Sequence, residues 1–272
     1  MCPNQLAFAL YWWRSYGPAR DHSNRRFGGS IAVIRHICRT LPADLHVSVL
    51  VAVHVGAGDQ NLLAGILDTN GPLPASTAVD GEPLQKSRIY VAPADHHLLV
   101  DGQVVRLGRG PRENMARPAI DPLFRSVGIS AGPMAIGVLL SGMLNDGASG
   151  LADLKRCGGV TVVQNPLDAI ESEMPQTALL AVDIDYRAPA NDLGALLSRL
   201  VREEPGPILT PPASVALEVA IAMGRPSDSA TIAEIADPVP LIVLAAEGHC
   251  RRSDARRCAF AVRWDMAILL RP

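Results

Sequence analysis

His46-Val47-Ser48-Val49-Leu50-Val51-Ala52-Val53-His54 is a nearly unbroken apolar run, rich in valine and closed at each end by histidine. A strand with one wet face would alternate polar and apolar residues, and a helix would need a longer stripe with a 3.6-residue period. The run therefore reads as a strand covered on both faces, as in a parallel sheet sandwiched between helices.

The flanking sequence supplies the helices. Upstream, Ile31, Ile34, Cys38 and Leu41 recur at helical spacing, Gly28-Gly29 opens the segment and Pro42 stops it. Downstream, Leu62, Leu63, Ile66 and Leu67 predict a second helix. Arg88 to Leu107 then reads as short strands, with Asp101-Gly102 turning a hairpin between Leu98-Leu99-Val100 and Val104-Val105. A helix over Asp121 to Ile129, a buried strand over Met134 to Leu140, a helix over Gly150 to Cys157 and a strand over Val160 to Val163 continue the βα rhythm. Leu193 to Val201 closes it with an amphipathic helix. The predicted fold class is α/β: a doubly wound, mostly parallel sheet with helices on both faces and a β-hairpin insertion.

Three regions follow from this pattern. Residues 1–27 form an atypical N-terminal segment without a clean strand ahead of Gly28-Gly29, where a wound domain normally has one. Residues 28–204 carry the regular α/β pattern. Residues 205–272 read as a proline-rich linker, a short helix over Ala216 to Met223, and a tail in which Glu247 to Cys258 lacks a period that could bury a face.

Composition narrows the function classes. The 272-residue chain is 48% hydrophobic with a formal net charge of -2, so it has no basic stripe and nucleic acid is not an expected partner. Its longest apolar stretches fall short of the roughly 20 residues that a membrane helix needs, and no membrane insertion is expected. Met1 to Trp13 lacks the basic start and small-residue cleavage site of a secretory signal, which predicts a cytoplasmic protein. The five cysteines, Cys2, Cys38, Cys157, Cys250 and Cys258, include no Cys-x-x-Cys pair, so reduced thiols are expected rather than zinc or a disulfide framework.

In an open parallel sheet, ligands bind beyond the carboxyl ends of the strands. Three features fall there: His54 ends the first clear strand, Asn145-Asp146-Gly147 follows the strand Met134 to Leu140, and Gly28-Gly29 sits at a strand-to-helix turn. A histidine oriented by a carboxylate is two thirds of a hydrolytic triad. Singly, each feature has a plainer reading. A histidine at a strand end is commonly a hydrogen-bonded edge residue, Asp-Gly is an ordinary turn pair, and Gly28-Gly29 lacks the spacing of a dinucleotide fingerprint.

The surrounding motifs, in order over about Phe27 to Glu204, resemble those of the CheB-type chemotaxis protein-glutamate methylesterases. Gly28-Gly29 through Leu41-Pro42-Ala43-Asp44 resembles the first helix of that family, and Val51-Ala52-Val53-His54 the strand delivering its catalytic histidine. Asp80-Gly81-Glu82-Pro83-Leu84 followed by Ile89-Tyr90-Val91-Ala92-Pro93-Ala94-Asp95-His96-His97 is similar to its most recognisable stretch. Arg117-Pro118-Ala119-Ile120-Asp121-Pro122-Leu123-Phe124 resembles the next motif, with Ala119 where the family usually has serine. Leu140 to Ala148 looks like the loop of the catalytic aspartate. Gln164-Asn165 and Glu173-Met174-Pro175 match the closing signatures.

The resemblance implies a serine acyl-transfer enzyme acting on methylated glutamates, and on glutamines, of the cytoplasmic helices of methyl-accepting chemotaxis receptors, with a receptor methyltransferase as a further partner and no metal or organic cofactor. It makes His54 the general base and Asp146 its orienting partner, with Met143 near the reacting centre. The family's turn, Gly-x-Ser-x-Gly-Gly, set on Gly28-Gly29, places Asn24 at the first glycine and Arg26 at the serine. A guanidinium cannot attack an ester. Ser30 and Ser23 are four and three positions out of register, and Ser30 reads instead as a helix-start residue. Arg26 thus implies a second possibility, a domain that docks on receptors or methyltransferase without turnover. The segment ahead of Gly28 is too short for the receiver domain of typical members, which implies no phosphorylation control in cis.

Overall fold

The computed structural model describes residues 5–10, 30–54 and 62–224, together with the pairs Ala236–Asp237 and Leu269–Leu270. The chain divides into two compact units, Met1–Arg225 and Pro226–Pro272. In the second, Ala236–Asp237 pairs antiparallel with Leu269–Leu270. Glu247 to Cys258 lies outside the described residues.

In the first unit the order is β1 (Gln5–Leu10), α1 (Ser30–Thr40), β2 (Ser48–Val53), α2 (Leu63–Asn70), β3 (Ala75–Thr77), β4 (Arg88–Val91), β5 (His97–Asp101) and β6 (Val104–Gly108). It continues with α3 (Ile120–Ala131), β7 (Ala135–Leu139), α4 (Ala148–Arg156), β8 (Val160–Gln164), α5 (Glu173–Ala181), β9 (Tyr186–Ala188), α6 (Ala190–Leu200) and α7 (Ala213–Ala222). Seven strands form a parallel sheet in the order β3-β4-β2-β1-β7-β8-β9. The fold class is the doubly wound α/β sandwich that the sequence predicts. β5 and β6 pair antiparallel outside this sheet, with Asp101 opposite Val104 across the turn.

The expectation of no strand before Gly28 is corrected. β1 occupies the middle of the sheet, pairing Gln5 to Leu10 with Ser48 to Val53 on one side and Gln5 to Ala9 with Ala135 to Leu139 on the other. Without it β2 and β7 would each face an unpaired backbone edge at the centre of the domain, a large loss of buried hydrogen bonds. The strand lies well upstream of the Gly-Gly turn rather than directly before it. Residues 11–29, including Ser23, Asn24, Arg26 and Gly28-Gly29, lie outside the described residues.

The period-2 alternation of β2 builds both cores. Val49, Val51 and Val53 face α1, α2 and α6 through Ile34, Ile37, Leu67, Leu193 and Leu197. Leu50 and Ala52 face the opposite layer, where Leu123, Phe124 and Val127 of α3, Leu151 and Leu154 of α4, and the hairpin residues Leu98, Val100 and Val105 pack together. Cys38 and Cys157 are buried free thiols, and burial pushes Cys38 up to about 12. No helix among the described residues is long and apolar enough to cross a membrane.

The short helix expected in the linker region is α7, and it docks on this unit. The Gly110 amide donates to the Ala222 carbonyl at 3.0 Å. Gly108 and Gly110 lie so close to α7 that an added Cβ at either would stand 2.2 Å from a carbonyl oxygen of Ala222 or Ile221. Glycine is required at both positions by close approach.

Candidate active site

β1 is the point at which the winding reverses, since the next strand in sequence lies on one side of it and β7 on the other. Ligand crevices form at such a switch, beyond the carboxyl ends of the strands. His54 directly follows β2, and Asp146 lies on the loop after β7. Although 92 positions apart, they meet: His54 Nε2 lies 2.6 Å from Asp146 Oδ2, with Asp146 fully buried and His54 8% exposed. A carboxylate can only accept from the ring, so Nε2 carries the hydrogen and Nδ1 is the basic nitrogen of the neutral imidazole.

The carboxylate is held by more than the histidine. Its Oδ2 also accepts from the Ile120 amide at 2.8 Å, and its Oδ1 from the Asp121 amide at 3.1 Å and Asn114 Nδ2 at 2.8 Å. Ile120 and Asp121 are the first residues of α3, whose unpaired N-terminal amides and positive dipole end favour an anion. Burial pushes the Asp146 carboxyl up, but the His54 hydrogen bond, the positive charge of that ring when it is protonated, and the two amides outweigh it and hold the group below the ordinary range.

The arrangement is reciprocal. Asp121, in the first turn of α3, accepts from the Gly147 amide at 2.9 Å and the Gly150 amide at 2.6 Å, at the start of α4. Each helix thus has its N-terminal amides capped by the carboxylate that the other one's entry supplies. The approach is close: a Cβ on Gly150 would lie 2.7 Å from the Asp121 backbone, and Gly147 has φ +91°. Burial and the neighbouring Asp146 charge raise the Asp121 carboxyl to about 7.

The other motifs brace this loop. Gln164 Oε1 accepts from the Ser141 amide, and the Leu144 amide donates to Glu173 Oε2 at 2.8 Å. Gly142 exchanges backbone bonds with Glu171 and Met174. On the far side, Arg117 grips Asp95 Oδ1 at 2.7 Å. The buried His97 donates from Nε2 to the Pro111 carbonyl and accepts the Ala119 amide on Nδ1, which fixes the chain entering α3. Desolvation lowers His97 below the ordinary range, consistent with this neutral, doubly bonded ring. Met143 lies on the same loop, 36% exposed. A cavity of about 610 Å³ opens at the starts of α3 and α4, lined by Asn114, Asp121, Arg125, Asn145, Ser149 and Thr177 among others and by neither His54 nor Asp146. No cluster of metal-ligating side chains occurs among the described residues.

The comparisons with known proteins bear on this geometry. The family model described as CheB methylesterase matches residues 28–197. The chain belongs to the CheB methylesterase family. A Leptospira interrogans relative is 33% identical over 173 residues, which cover 63% of this chain and 90% of the relative. Relatives from Chromohalobacter salexigens (36% identical, 63% of this chain) and Anaeromyxobacter dehalogenans (41% identical, 56% of this chain) are each named protein-glutamate methylesterase/protein-glutamine glutaminase. The chain covers 49% and 45% of those two, about half the length of each. The crystal structure of the Thermotoga maritima CheB methylesterase catalytic domain is 24% identical, with a TM-score of 0.65, covering 74% of this chain and all of that one. It shares the family fold. Family membership gives the motifs a physical reading: most of them position one loop and one helix end around a buried carboxylate.

Sequence reasoning singles out His54 and Asp146 because both follow strands and both fall in motifs that resemble those of the family; the structure brings the two together. That reasoning misses Asn114, which no spacing rule marks, and the reciprocal role of Asp121, which sits inside a motif but gains its partners only when the ends of α3 and α4 meet.

Proposed function

We propose that this domain descends from, and retains the base and orienting acid of, a protein-glutamate methylesterase that also deamidates glutamine, acting on the cytoplasmic helices of methyl-accepting chemotaxis receptors. The observation that carries the reading is the His54–Asp146 contact of 2.6 Å, buried and anchored on helix amides at the sheet switch point. In this mechanism His54 Nδ1 takes the proton of a serine hydroxyl at position 26, and the oxygen bonds to the γ-carbonyl carbon of the substrate. The imidazolium then protonates the departing methoxide, or amide nitrogen, so that methanol or ammonia leaves. Water, deprotonated by the same imidazole, cleaves the acyl-serine to restore the hydroxyl and release glutamate.

The natural chain has Arg26 in the serine register. That residue favours a second reading for the natural protein, in which it binds receptor helices or their methyltransferase without turnover. The two readings share one fold and differ in one hydroxyl. A reactive-serine phosphonate probe separates them. Labelling of an Arg26→Ser chain at residue 26, lost on adding His54→Ala and absent from the natural chain, is the expected result. Labelling of the natural chain at another serine would refute the assigned register, and no labelling of folded Arg26→Ser would refute the triad.

A further inference from the structure

We propose that Asn114 is a positioning residue for the His54–Asp146 pair: its one amide nitrogen clamps Asp146 and the second buried carboxylate, Asp121, and so sets the rotation of the carboxylate that His54 meets. The inference rests on the functional reading above and adds to it a residue outside the triad.

Asn114 Nδ2 has two hydrogens, and both are used. One goes to Asp146 Oδ1 and the other to Asp121 Oδ2, each at 2.8 Å. The amide orientation is set by its surroundings, since the flipped side chain would place a carbonyl oxygen against two carboxylates. Asp146 Oδ2 is fixed by His54 and the Ile120 amide, whereas among the described residues Oδ1 has only the Asp121 amide, at 3.1 Å, besides Asn114. Loss of Asn114 therefore frees mainly the Oδ1 edge. The carboxylate torsion is intrinsically broad, so a carboxylate held at one edge can turn and draw Oδ2 out of line with the imidazole. The same amide lies between the two carboxyl groups of the reciprocal caps, where it offers a donor to each.

The backbone supports this assignment. Asn114 has φ 48° and Met115 φ 62°, so two successive non-glycine residues lie in the left-handed region. Asparagine tolerates that conformation better than most side chains. Exposed at 78%, Met115 gains no burial from the turn, whose evident product is the inward amide of Asn114.

The test uses the full-length chain with Asn114→Gly and Asn114→Ala. Glycine adopts φ > 0 without strain, so it removes the amide and leaves the turn content. Proton NMR of the natural chain is expected to give a far-downfield ring N–H resonance for His54, assigned by its loss in His54→Ala. Both Asn114 variants should move it upfield or broaden it away, with thermal midpoints within a few degrees of the natural chain. In the Arg26→Ser background the same substitutions should lower kcat about tenfold or more with KM nearly unchanged, as expected for a misaligned base. An unchanged resonance in both variants, or a change in Asn114→Ala alone, overturns the proposal. The NMR measurement needs no turnover, so an Arg26→Ser chain that releases no methanol counts against the esterase reading while the resonance decides the role of Asn114.

Discussion

Asp146→Asn, introduced into an Arg26→Ser chain, is expected to lower methanol release from methylated receptor fragments about 10⁴-fold, the scale seen when a triad carboxylate becomes an amide. The reason is the tautomer. An amide nitrogen facing His54 Nε2 would make that ring nitrogen the acceptor, move the ring hydrogen to Nδ1, and leave no basic nitrogen for the nucleophile. Stability should fall as well. His54, the Ile120 and Asp121 amides and Asn114 all donate to Asp146, and the imidazole can reverse its role but the backbone amides cannot, so an amide in either orientation sets its NH₂ against at least one donor, at a cost of about 1–3 kcal/mol for each donor left unpaired. The effect has a pH signature. Because the folded-state carboxyl is held below the ordinary range, its contribution is present above the unfolded value near 3.8 and is lost as pH falls through the lower folded value. Denaturant melts should therefore show the natural chain losing its advantage over Asp146→Asn between about pH 4 and the acid limit. A constant difference across that range would contradict the ionised, amide-anchored carboxylate.

Arg125→Met is expected to destabilise the domain by about 3–5 kcal/mol, read from urea midpoints, although it touches neither member of the His54–Asp146 pair. The guanidinium is buried. It contacts Glu113 at 2.5 Å, Asp153 at 3.0 Å and Glu218 at 3.6 Å, and reaches Ser149 at 3.3 Å. It thereby joins α3, α4, α7 and the turn that carries Asn114. Burial pushes Glu113 up and the adjacent guanidinium pulls it back, so removing the cation leaves Glu113 and Glu218 without it in a partly buried space, while Asp153 keeps, among the described residues, only its contact with Arg156 at 3.0 Å. A loss near 1 kcal/mol, typical of an exposed pair, would mean that the network is more solvated than its burial indicates.

How much of this was legible in the sequence depended on whether the information was local. Val49 to Val53 declared a strand covered on both faces through their unbroken apolar run, and His54 and Asp146 stood out because they follow strands within motifs that resemble those of a known family. β1 was illegible: Gln5 to Leu10 is short, no turn glycine follows it directly, and its identity comes from pairing with β2 and β7 rather than from its own pattern. The three-residue strands β3 and β9 escaped for the same reason. α5 was hidden because Pro175 falls in its first turn, where proline is tolerated but reads as a breaker. The site was half legible. Ile120 and Asp121 belong to a motif, yet nothing in their spacing says that their amides receive Asp146 while the Asp121 side chain caps α4. Those roles arise only when two helix ends meet around glycines such as Gly150, and Asn114 acquires its role from the same meeting.

The proposed site pairs a base, His54, and an orienting acid, Asp146, with arginine at the nucleophile position. Methanol release from methylated receptor fragments tests it most directly, comparing the natural chain, Arg26→Ser, and Arg26→Ser with His54→Ala. The account predicts release by Arg26→Ser alone; release by the natural chain, or by the variant lacking His54 at the same rate as Arg26→Ser, would contradict it.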